Sequence, residues 1–156
     1  MICVEPFEVV ALRNRGAYAN LDAAYMQLFD WATQASVVDR IVGLHGVPVG
    51  DHRDVPEETL EFDCAVRLTA TAEPPLPPPL RTLWLGGGEY ACIRHVGSFL
   101  DLETATDRLL AEWLPTSGYA LRDAPIYYDY HDDPDVVPEA LLRTDILVPV
   151  QAQEGP

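Results

Sequence analysis

The chain has 156 residues, enough for one respectable hydrophobic core, and its 48% hydrophobic and 22% charged residues are ordinary for a soluble globular protein. The formal net charge is −15, from 25 acidic against 10 basic residues, and every basic residue is Arg. That leaves no cationic stripe for a nucleic-acid backbone. With no apolar run near the ~20 residues of a membrane span, both nucleic acid and membrane are excluded as direct partners.

Residues 6–15 (PFEVVALRNR) end at Gly16 and predict a strand closed by a turn. A helix is expected from Asn20, its N-cap, to Gln34, with Leu21, Ala24, Tyr25, Leu28, Phe29 and Ala32 on one face as core packing. Residues 41–49, interrupted by Gly43, Gly46 and Pro48, read as a second strand, and 60–68 as a third. In that third strand Phe62, Cys64, Val66 and Leu68 alternate with Glu61, Asp63, Ala65 and Arg67. The first set is assigned to the helix side and the second to a groove or solvent. Residues 69–79 hold five prolines, which rules out a helix or central strand and predicts a stiff connector over 69–80. No Lys-Ser or Lys-Thr follows Gly86, Gly87 and Gly88, so this run is read as a turn or bulge opening a strand at 89–95 rather than a phosphate loop. A second helix is expected from Asp101 to about Leu114, burying Leu102, Ala105, Leu109, Leu110 and Trp113 and stopped by Pro115. Strands follow at 125–131 and 142–150, and 151–156 reads as a disordered tail. Cys3, Cys64 and Cys92 lack CxxC spacing; Cys64 and Cys92 sit in apolar strand patterns and are expected to be buried thiols.

The second half echoes the first. An offset of 82 lays Val55-Pro56-Glu57 on Val137-Pro138-Glu139, Leu60 on Leu142, Asp63 on Asp145 and Val66 on Val148. An offset of 81 pairs Leu12 with Ile93, Arg13 with Arg94, Gly16 with Gly97, Tyr18 with Phe99, Leu21 with Leu102 and Leu28 with Leu109. The expected architecture is therefore α+β, a strand-helix-strand-strand unit duplicated in tandem about a pseudo-twofold axis. Antiparallel sheets would carry helices on one face, and the seam would form a central cleft suited to a small molecule. Residues 1–150 are read as one domain of half-repeats 1–68 and 83–150.

At this point the chain resembles a known family. The run DDPDVVPEALLRTDILVPV (132–150) after a Pro-aromatic strand, the GGGEYA opening of a strand, and the GSF or GAY step into a helix are similar to the GyrI-like small-molecule-binding domain. That family includes a bacterial gyrase inhibitor and the effector-binding domains of AraC-type and MerR-type regulators. The resemblance covers about residues 2–150 and implies a duplicated α/β fold whose cleft takes amphipathic, often cationic, aromatic compounds. Regulators of this type carry a helix-turn-helix domain as well; none is read here, so any regulation is expected to run through a protein partner. Family members commonly show Phe-Glu-x-Tyr where this chain has Tyr127-Tyr128-Asp129-Tyr130, so Tyr128 stands where an acid would meet a cation.

There is no HExxH, no GxSxG and no His pair at metal spacing; His45, His52, His95 and His131 are scattered and read as surface or satisfied core residues. No catalytic residue, metal or cofactor is assigned. Ligand contacts are expected from Tyr128 and Tyr130 on one strand face, from Tyr18 and Phe99 at equivalent corners of the repeat, and from Trp84 and Tyr90 flanking the glycine turn, because aromatic faces stack on planar or cationic molecules. Asp63 and Asp145, on the strand face away from the main apolar set, either tie down a neighbouring segment or bind a cation. The expected function is sensing or sequestration of a small amphipathic molecule by a cytoplasmic protein. The resemblance also implies an alternative, a hydrolase opening cyclopropane rings of DNA-alkylating natural products, which would need an acid from Asp63, Asp145 or Glu61 with a neighbouring Tyr. A gyrase-interacting role follows from the family name alone.

Overall fold

The computed structural model describes residues 2–16, 21–49, 56–69 and 76–153. Tyr18, the expected N-cap Asn20 and part of the connector lie outside the described residues. In chain order the described elements are β1 (Ile2–Val4), β2 (Phe7–Arg15), α1 (Leu21–Gln34), β3 (Ile41–Val49), β4 (Glu61–Leu68), β5 (Arg81–Leu85), β6 (Gly88–Val96), α2 (Leu102–Arg108), β7 (Tyr119–Leu121), β8 (Tyr127–Tyr130) and β9 (Arg143–Ala152). The chain is an α+β protein of antiparallel sheets with few helices. No helix among the described residues is long and apolar enough to cross a membrane.

Two compact units divide the chain, residues 6–85 and residues 1–5 with 86–156. In the first, β4 pairs with β2 on one side and β3 on the other, and β5 pairs with the outer side of β2, all antiparallel. The helix α1 packs against β2 and β4 through buried Ala24, Leu28 and Ala32. Below it, Leu12 lies across from Cys64 and Val10 from Val66, each almost fully buried. The alternation read from the sequence holds in register, yet Asp63 and Ala65 are as buried as Cys64 and Val66, so both faces of β4 are covered along its middle. Burial pushes the Cys64 thiol up to about 12.

In the second unit β9 is flanked by β6 and β8, β1 pairs with the outer side of β6, and β7 pairs with the end of β9. Three strands were not foreseen: β1, β5 and β7. Two of them are outer strands whose short runs carry little periodicity. β5 fills the free edge of β2 and β1 that of β6. The unit boundaries fall at 5/6 and 85/86. At the 85/86 boundary Gly86, Gly87 and Gly88 take φ of 75°, 85° and 118°, a left-handed path that places the Gly87 N–H 2.8 Å from the Val4 carbonyl.

Two corrections concern helix and strand ends. The helix expected over 101–114 is α-helical only through Arg108; Leu109–Trp113 is a π-helical turn and Leu114–Thr116 a 3₁₀ turn. The wider turn leaves Leu110 and Trp113 half-exposed, where 3.6-residue periodicity placed them in the core. The strand expected to stop at Val150 continues to Ala152, because β7 supplies partners for Val150, Gln151 and Ala152. Cys92 is also exposed, contrary to the buried thiol expected of it; it lies on β6 two residues from exposed Arg94.

Candidate functional site

Strand alternation sorts the second unit into two faces. On one, Tyr128 lies across from Ile146 and Tyr130 from Thr144; on the other, Asp129 lies across from Asp145. Tyr128 reaches the helix, its hydroxyl 3.4 Å from Thr106 Oγ1, which itself donates to the Leu102 carbonyl at 2.8 Å. Burial pushes the Tyr128 hydroxyl up to about 12, with the negative charges of Glu103 and Asp107 adding to the shift. The Phe99 ring sits 5.0 Å from Tyr130, which is 6.3 Å from Tyr128, so three of the expected ligand-binding aromatics form one run beside α2. Phe99 and Tyr130 are half-exposed whereas Tyr128 is buried, so the first two offer the ring area and Tyr128 braces it.

On the β6 side of the same helix a cavity of about 310 Å³ opens over Ile93 and Ile146, walled by Ala105, Leu109 and Trp113, with Arg108 and Glu112 at its rim. The π turn supplies Leu109 and Trp113 to this wall, and nothing in the α-helical pattern of the sequence announces it.

Tyr90 is fully buried: its hydroxyl donates to the Gly86 carbonyl at 3.2 Å, Tyr127 meets it edge-on at 5.5 Å, and the Arg122 guanidinium covers the ring at 5.0 Å. In this structure it is a core residue. Trp84, in the first unit, is 58% exposed on the edge strand β5.

The two aspartates share a geometry. Asp63 accepts from Arg13 Nε at 2.8 Å and Arg13 Nη2 at 3.2 Å, and Arg81 closes the other side. Asp145 accepts from Arg94 Nε at 2.9 Å and Nη2 at 3.3 Å, and from His131 Nε2 at 2.8 Å. In each case the Asp and its first Arg are directly opposite in register. Burial raises both carboxyls, but the hydrogen bonds from Arg13 and Arg81, or from Arg94 and His131, outweigh it and hold both below the ordinary carboxylate range. Glu61 joins the first set through Arg13 at 2.8 Å. Asp63 and Asp145 are thus held as carboxylates, each engaged by an arginine, the reverse of what a general acid needs. The sequence missed Arg81 and His131 as their partners because neither lies near its Asp in the chain.

A family model described as "GyrI-like small molecule binding domain" matches residues 1–151. A 66-residue stretch is 41% identical to the probable transcriptional regulator YgiV of Escherichia coli K12, covering 42% of this chain and 41% of that protein. The chain thus matches less than half the length of that curated relative. The fold is similar to that of an uncharacterized conserved protein from Listeria innocua, with a TM-score of 0.74 and 15% identity over 96% of this chain and 90% of that one. It is also similar to SAV2435 bound to tetraphenylphosphonium, with a TM-score of 0.62 and 11% identity over 95% and 90% of the two chains. At these identities the structural likenesses are of fold.

Proposed function

We propose that this chain, which belongs to the GyrI-like small-molecule-binding domain family, binds a small, amphipathic aromatic cation for sensing or sequestration. The observation that carries this reading is the run of Phe99, Tyr130 and Tyr128 beside α2, with the acids Glu103 and Asp107 on the turns around Thr106. Rings give stacking area without demanding one hydrogen-bond pattern, and a good cation–π contact contributes about 0.5–2 kcal/mol. The tetraphenylphosphonium held by SAV2435 is of the same chemical class and supports it. Asp63 and Asp145 have their charge engaged by arginine, so this reading moves the negative charge that meets the ligand onto α2. A regulatory use fits the name of the YgiV relative and would run through a partner molecule. The hydrolase reading is not carried forward, since Asp63 and Asp145 are held as carboxylates by arginine and Glu61 is paired with Arg13.

The same reading takes the two units as copies of one strand-helix-strand-strand element. Arg13 opposite Asp63 in one and Arg94 opposite Asp145 in the other support it.

The test is equilibrium binding of a cationic and an anionic dye of matched size at low and high salt. A −15 chain attracts cations through a diffuse field that ~0.5 M salt screens, whereas a partly desolvated acid beside the rings is screened much less. A cationic preference that survives salt, and that falls in Tyr130→Ala and in Glu103→Gln, is the expected result. A preference that vanishes with salt, or that both variants keep in full, refutes the site.

A further inference from the structure

We propose that Asp129, His131 and Asp145 form a binding site for a divalent transition-metal ion of the zinc, cobalt and nickel class on the sheet face opposite Tyr128 and Tyr130. Their three donor atoms lie within 4.8 Å of one another. His131 Nε2 is 2.8 Å from Asp145 Oδ2 and 3.8 Å from Asp129 Oδ2. Ligands bound at ~2.0–2.2 Å around one ion stand roughly 3–3.5 Å apart when adjacent and about 4.2 Å apart when opposite, so small side-chain adjustments bring this set onto a common centre. The imidazole selects the borderline ions over calcium or magnesium, which take oxygen alone.

The backbone holds the donors in place. Asp129 and Asp145 are opposite each other on paired strands, and the His131 N–H continues the ladder by donating to the Arg143 carbonyl at 3.1 Å. Alternation puts Asp129 and His131 on one side of that strand line, away from Tyr128 and Tyr130. Arg94 forks across the Asp145 carboxylate, Nε to Oδ1 at 2.9 Å and the longer Nη2 contact to Oδ2 at 3.3 Å, and so fixes its plane, the kind of outer contact that orients a ligating carboxylate. The nearby Arg143 is clamped at 2.9 Å and 3.0 Å by Asp132, which offsets its charge.

Among the described residues, the other unit does not repeat this set at the matching place. There Val47 lies across from Asp63, and a permanent cation, Arg81, occupies the second side of the carboxylate. Around Asp145 that place is taken by the His131 imidazole, whose nitrogen can ligate a metal. The Arg94 Nη2 lies 3.4 Å from His131 Nε2, so the guanidinium competes with an incoming ion while its Nε helps to orient the carboxylate. Arg94 is about half-exposed, so water can replace the longer contact of its Nη2 with Asp145 Oδ2 when an ion enters.

The experiment titrates the 156-residue chain near neutral pH with Zn²⁺ by calorimetry and with Co²⁺ by visible absorption. The expected result is one ion per chain, with His131→Ala and Asp129→Asn each weakening binding about tenfold or more, and His95→Ala, which removes another imidazole of the same unit, binding as wild type. Arg94→Gln, which removes the opposing charge and keeps a hydrogen-bond donor, is expected to bind severalfold tighter. Far-UV circular dichroism of each variant verifies folding, and the exposure of His131 makes its removal structurally mild. No one-to-one complex in the wild type, undiminished binding in His131→Ala, or weaker binding in Arg94→Gln overturns the proposal. The outcome is independent of dye binding, which reads the opposite face.

Discussion

Asp63→Asn tests how much the arginine clamp contributes to the first unit. The Asp63 side chain is 3% exposed, while Arg13 and Arg81 are 42% and 37% exposed. Removing one partner of a fully buried pair costs about 3–5 kcal/mol, because the other charge is left uncompensated. Here the arginines keep water on their outer nitrogens, which discounts the figure to about 2–3 kcal/mol. For a chain of this size that lowers Tm by about 4–12 °C. Asp145→Asn removes the corresponding carboxylate where it is 16% exposed and its Arg is 48% exposed, so about 1 kcal/mol is expected.

The pH dependence follows from the same clamp. The carboxyl of Asp63 lies below its ordinary value of 3.8 in the folded chain, so its contribution is present above that pH and is lost as pH falls through the folded value. The gap between wild type and Asp63→Asn should therefore be full at neutrality and close in strong acid. Urea unfolding followed by circular dichroism at neutral and acid pH measures both effects. If Asp145→Asn costs as much as Asp63→Asn, or if the Asp63→Asn gap is unchanged in acid, burial of the carboxylate does not set its worth and the argument fails.

Cys64 is buried with its thiol pushed up to about 12, whereas Cys3 and Cys92 are exposed, so mild maleimide treatment should add two adducts to the native chain and three to the unfolded one, read by intact mass. Burial comes first among the causes that raise the Cys92 thiol, followed by the charge of Asp145, so its labelling should be slower than that of Cys3 in a peptide-mapped time course. Gly88→Ala would hold a Cβ at φ +118° and 3.0 Å from the Arg122 guanidinium, and should destabilise by about 1–3 kcal/mol in a urea titration. A neutral result would mean that neither the backbone at φ +118° nor the contact with Arg122 strains the chain, which would refute the argument. Tyr128→Phe should cost no more than about 1 kcal/mol, since Thr106 keeps its bond to the Leu102 carbonyl.

By itself the sequence determined the elements whose residues carry their own periodicity. Alternation in Glu61–Leu68, the helical recurrence of Ala24, Leu28 and Ala32, and the strand from Ile41 to Val49 are local signals, while the family showed through other motifs in order, the GSF or GAY step into a helix, GGGEYA and the run at 132–150. It also singled out Asp63 and Asp145 and set Arg13 beside Arg94 by offset. What the tertiary structure decided is who meets whom. The partners of Asp63 are 50 and 18 residues away, and His131 meets Asp145 only because the registers of β8 and β9 bring Asp129, His131 and Asp145 to one side. A scan for metal spacing passes over such a set, since its ligands are i, i+2 and a residue across a strand pair. The short outer strands β1 and β5 likewise carry too few residues for a period of two to show. Their place comes from an open sheet edge, whose unpaired N–H and C=O groups must find partners when a passing segment covers them.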